Sequence, residues 1–70
     1  YSIFELSIPE PWQGKSILQL DLRKRYGINV LGVRAEGQLH MNITPETVLD
    51  ADRSVLILGQ QKLVQKLLNR

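Results

Sequence analysis

The densest run of charge in the sequence is Arg23-Lys24-Arg25, followed directly by Tyr26-Gly27. Three adjacent cations can complement the negative end of a helix, track a nucleic-acid backbone, or lend one guanidinium to a phosphate. A nucleic-acid patch asks for more basic residues interleaved with stacking aromatics, and only Tyr26 stands nearby. Elsewhere the material for chemistry is thin. His40 is the one histidine and there is no cysteine, so neither a metal cluster nor a disulfide is expected. No serine stands beside a candidate base, and Asp21, Glu36, Glu46, Asp50 and Asp52 show no spacing that pairs two carboxyls for acid–base work. Gly14-Lys15-Ser16 matches the tail of a phosphate-binding loop but lacks the earlier glycine. Catalysis is therefore not expected, and His40 reads as a rim residue on a short strand.

The elements that must position Arg23 come next. Ser2 to Ile8 alternates, with Phe4, Leu6 and Ile8 on one face, and Pro9 and Pro11 end it. Trp12 in the following loop is expected to cover an edge of the core. Ser16 with Gln19 forms a capping-box pattern and opens a helix that Gly27 closes. Between them, Ile17, Leu18, Leu20, Leu22 and Tyr26 spread over roughly two-thirds of the helix circumference, too wide for one core stripe, and Asp21 falls inside that arc. Two compatible readings remove the conflict. The helix breaks at Asp21, which caps a second short turn, or part of the arc faces a second subunit.

Ile28 to Ala35 and Ser54 to Leu58 carry apolar residues on both faces, as strands covered on both sides do. Glu36-Gly37 is a hairpin turn that lets Gln38 to Asn42 pair back. Ile43 to Arg53 is a connector containing Pro45, with Val48 and Leu49 as anchors. Gly59 ends the last strand, and Gln60 to Asn69 is a helix with Leu63, Val64, Leu67 and Leu68 on one stripe. The predicted fold class is α+β, a small β-α-β-β-β-α sandwich with helices on a mainly antiparallel sheet.

Seventy residues allow one domain, 1–70, with a thin core that buries only ~60% of its unfolded surface. The net charge of +2 reflects nine basic against seven acidic residues, too small an imbalance to imply nucleic acid or anionic lipid. No apolar run approaches the ~20 residues that span a bilayer. Lack of cysteine fits a cytosolic domain. A start at Tyr1, inside a strand-like run, reads as a piece of a longer protein. With so many apolar faces on so short a chain, a subunit interface is the favoured reading over a compact monomer.

One ordered set of residues is more specific than any of its parts. It runs Gly14-Lys15-Ser16-Ile17, Leu20-Asp21-Leu22-Arg23, Tyr26-Gly27, Val30 and Arg34, then Pro45, Leu49, Asp52 and Val55 to Gly59. This order, from about Ile3 to Leu68, resembles the C-terminal ligand-binding subdomain of RCK proteins (regulators of potassium conductance), the TrkA-C domain. The chain departs from the family pattern at Ala51-Asp52, where the acid usually follows glycine.

The resemblance implies a homodimer with a two-fold axis, a Rossmann-like RCK N-terminal domain preceding it, and a membrane channel or transporter subunit as partner at the cytoplasmic side. In some members cyclic di-AMP binds in the dimer cleft as an effector. The module also occurs in antiporters and anion carriers, so it does not fix the ion. On this resemblance the ligand-binding residues are Ile17, Leu18, Leu22, Arg23, Ile28 and Asn29. Apolar helix residues would meet adenine and Arg23, at the family's arginine position, would meet phosphate; the others follow from closeness to the presumed dimer axis. The residues themselves lead to the expectation of no enzyme activity, no metal and no nucleic-acid partner. The alternative is a dimerisation domain with no small-molecule ligand.

Overall fold

Alternation decides the first element. In the computed structural model, which describes residues 1–68, strand β1 (Ser2–Ser7) turns Phe4 and Leu6 toward the core and leaves Ile3, Glu5 and Ser7 exposed. Pro9 stops the ladder, and a single 3₁₀ turn over Glu10–Trp12 follows. That turn drives Trp12 into the core, where it is 1% exposed, rather than onto an edge. Its ring packs against Tyr26 with centroids 5.8 Å apart and planes tilted by 52°.

The predicted helix is broken. Helix α1 (Ile17–Leu20) and helix α2 (Leu22–Tyr26) meet at Asp21, whose φ of 48° and ψ of 49° are left-handed. The break settles the wide apolar arc, because Leu20 and Leu22 can both be buried only when the two turns have different axes. Asp21 does not cap α2 with its side chain, contrary to the sequence expectation; its carbonyl accepts from the Arg25 amide instead. At the start of α1, Ser16 Oγ accepts from the Gln19 amide at 3.1 Å and Gln19 Oε1 accepts from the Ser16 amide at 2.9 Å. Gly27 ends α2 at φ 66°, a backbone state that glycine enters without steric cost.

Strands β3 (Asn29–Ala35), β4 (Gln38–His40) and β6 (Ser54–Gly59) join β1 in an antiparallel sheet of order β1-β6-β3-β4. A register shift between Val30 and Gly32 places a bulge at Leu31, so β3 does not keep strict alternation. Gly59 pairs with Ser2 and belongs to β6 instead of ending it. The sequence shows no sign of a second, two-stranded ribbon, in which β2 (Lys15–Ser16) pairs with β5 (Val48–Leu49). Leu49 is the buried anchor of that ribbon; Val48 is 39% exposed and is no anchor. Helix α3 (Gln61–Leu68) starts one residue later than predicted, and the expected end at Asn69 lies outside the described residues. Val64 and Leu67 enter the core, whereas Leu63 and Leu68 of the same predicted stripe remain exposed.

Only one face of the sheet is fully covered. Trp12, Leu20, Leu22, Leu49, Val64 and Leu67 form one core cluster with Val33, Val55 and Ile57. The opposite face carries half-buried Leu56 and Leu58 and, beside them, Ile3, Leu39 and Met41, which are exposed. The two-sided apolar strands therefore lack cover on one side within a single chain.

Candidate functional site

Asp21, where the two helices break, lies in the wall of a concavity. Helix α1 supplies Ile17 and Leu18, α2 supplies Leu22 and Arg23, and the chain entering β3 supplies Ile28 and Asn29. All six expected residues thus line one cavity of about 520 Å³, within the range of small-molecule sites. They do not contribute equally. Leu22 and Ile28 are nearly sealed, at 2% and 1% exposure, and form the floor. Leu18 stands at the rim, and Arg23 and Asn29 are exposed at its edge.

The remaining wall comes from residues that the sequence pattern does not single out as ligand-binding. Asp21 and Val30 line the cavity, as do Ile43, Thr44 and Pro45 of the connector. The connector is held there by the first amides of α1, which find no partner inside so short a helix. The Ile17 amide donates to the Thr47 carbonyl at 3.0 Å, and the Leu18 amide donates to the Pro45 carbonyl at 2.8 Å. A turn in which Thr47 Oγ1 accepts from the Thr44 amide fixes the loop. Pro45 was legible only as a connector residue, and Asp21 only as a helix break.

Chemically, the cavity combines aliphatic walls with one guanidinium, one carboxylate, one amide and one hydroxyl. The two ion pairs among the described residues, Glu5–Arg34 and Asp50–Arg53, lie elsewhere, so neither Arg23 nor Asp21 is held in one. Such a site can pack a flat apolar ring against Ile17, Leu18 and Pro45 while Arg23 donates to an anionic oxygen.

Residues 2–70 match the family model of the TrkA-C domain. The chain belongs to the TrkA-C domain family. It is 29% identical over 69 residues to the Ktr system potassium uptake protein A of Bacillus subtilis, covering 99% of this chain and 31% of that protein. The chain therefore spans about a third of the length of that curated relative. Among solved structures, it resembles the RCK C domain of the potassium transport protein KtrA in complex with cyclic di-AMP. There the TM-score is 0.84 and the identity 27%, over 94% of this chain and 78% of that one.

The RCK_C domain dimer of S. agalactiae BusR with cyclic di-AMP superposes with a TM-score of 0.82 at 18% identity, over 99% of this chain and 93% of that one. This second likeness establishes the fold alone. The expectation of no nucleic-acid partner finds no support in this fold group. BusR in complex with its busAB-promotor DNA matches with a TM-score of 0.81 at 18% identity, over 97% of this chain and 34% of that one.

Proposed function

We propose that this TrkA-C domain is the regulatory, non-enzymatic module of a potassium uptake or efflux system, and that two copies share cyclic di-AMP through the Arg23 cavity. One observation carries the reading. The apolar helix residues, Arg23 and Asn29 converge on a single cavity in a chain that is 27% identical to a domain solved with that nucleotide. A two-fold symmetric ligand suits a cleft between identical subunits, because each half presents the same groups. The uncovered apolar face of the sheet supports pairing, since a lone domain rarely leaves such a surface in water.

The mechanism is a bias on subunit geometry. A ligand shifts a conformational equilibrium by as much as its affinities for the two states differ. Asp21 places the two short helices of the cavity on separate axes, and the relative placement of the two subunits is the quantity that bound ligand would fix. On this reading the pair lies at the cytoplasmic side of the membrane, joined to a Rossmann-like domain and acting on a channel or transporter subunit. No helix among the described residues is long and apolar enough to cross a membrane.

Calorimetric titration with cyclic di-AMP, with molar mass measured in parallel, tests the proposal. The expected result is one nucleotide per two chains, with Arg23→Ala weakening binding by about tenfold or more, as loss of a charge-assisted hydrogen bond does. A dimer that gives no heat would overturn the cyclic di-AMP reading and leave assembly or another effector as the role.

A further inference from the structure

A second cavity lies between the last turn of α2 and helix α3. Its volume is about 610 Å³, and it is lined by Lys24, Arg25, Tyr26, Gly27, Leu63, Lys66 and Leu67. The two cavities share no lining residue.

Its floor is apolar and braced. Tyr26 is half-buried and packs on buried Trp12, with ring centroids 5.8 Å apart. Leu67 is 8% exposed, while Leu63 stays 41% exposed within the groove. The rim is entirely cationic. Its charged lining residues are Lys24 and Arg25 of α2 and Lys66 of α3, and neither helix carries an acid. The acids that form ion pairs are engaged elsewhere, Glu5 with Arg34 and Asp50 with Arg53. Complementing a helix dipole accounts for cations in the last turn of α2 and for Lys66 in the last turn of α3. It does not account for Leu63 standing exposed between them.

That combination selects its occupant. An inorganic anion would leave the leucyl floor wet. Nucleic acid asks for open aromatic faces, and Tyr26 lies half-buried against Trp12. Insertion into a bilayer asks for a free apolar helix face, and Val64 and Leu67 are already in the core. We propose that this groove is a second ligand site, for a small organic anion carried on an apolar or aromatic body. The proposal does not depend on what occupies the Arg23 cavity.

The test is fluorescence titration of the purified protein with 1-anilinonaphthalene-8-sulfonate, beside its uncharged analogue N-phenyl-1-naphthylamine. Saturable binding of the sulfonate that persists in Arg23→Ala is expected, with the uncharged analogue at least about tenfold weaker. Trp12, the one tryptophan, lies under the floor as an energy donor. Lys24→Glu and Lys66→Glu alter exposed side chains, so the fold survives them, and each should weaken the sulfonate by about tenfold. Arg23→Ala should leave it unchanged. The proposal is overturned if the uncharged analogue binds equally well, if both lysine variants bind like wild type, or if Arg23→Ala removes the binding. Loss of cyclic di-AMP binding in Arg23→Ala leaves this site untouched, so the two proposals fail separately.

Discussion

Glu5 on β1 and Arg34 on β3 meet across the full width of the intervening strand β6, with Arg34 Nε donating to Glu5 Oε2 at 2.6 Å. Ser54 on β6 donates its hydroxyl to the same oxygen at 2.9 Å, so one carboxylate ties three strands together. The Arg34 hydrogen bond, then that of Ser54, holds the Glu5 carboxyl below the usual carboxylate range. Donating that hydrogen bond to Glu5 in turn raises the Arg34 pKa.

The sign of the pH effect follows. Glu5 binds its proton more weakly folded than unfolded, so its contribution is present above the ordinary carboxylate range and is lost as pH falls through its depressed value. Urea unfolding at pH 7 and at about pH 3 should show wild type losing more stability on acidification than Glu5→Gln. Equal losses would mean that the triad contributes nothing.

Asp21 should tolerate glycine better than any branched residue. Its left-handed backbone costs ~1–2 kcal/mol for most L-residues, while glycine's added freedom in the unfolded chain offsets part of the relief. Asp21→Gly is expected within about 1 kcal/mol of wild type and Asp21→Val beyond about 1 kcal/mol less stable, read from chemical denaturation. A stable valine variant would show that the helix break can be lost without penalty.

Gly32 is required by contact. A Cβ built there would lie 2.7 Å from Met41 Sδ and 2.9 Å from the His40 carbonyl oxygen. The thioether can swing away, but the carbonyl belongs to the neighbouring strand. Gly32→Ala should cost ~1–3 kcal/mol and shift the amide resonances of β4.

Trp12 Nε1 is buried without a hydrogen-bond partner. Leaving such a donor unsatisfied costs ~1–3 kcal/mol, so Trp12→Phe removes a penalty along with some packing. The phenylalanine variant should lose under about 2 kcal/mol, against ~3–5 kcal/mol for Trp12→Ala. Thermal unfolding of the pair decides it: similar large losses would mean that ring volume alone matters.

What the sequence by itself determined is local or periodic. The Ser16–Gln19 box and the Gly27 stop act within a few residues, so their signals are complete in the chain order. The misfit of Leu20, Asp21 and Leu22 on one helix offered a break as one of two readings, and the alternation in β1 and the two-sided apolar run of β6 marked strands. Arg23 was named through the family's arginine position, and its neighbours through closeness to the presumed dimer axis.

Only tertiary structure decided the rest. Ile43, Thr44 and Pro45 became a cavity wall because the unpaired amides of α1 recruited carbonyls from a distant loop. The same long-range pairing made the β2–β5 ribbon, which is too short to show a period. Leu63 and Leu67 have the same apolar character and lie one helical turn apart. Both line the cationic groove, yet the first stays 41% exposed and the second is 8% exposed, because the way α3 docks on the sheet sets how much of its stripe is covered.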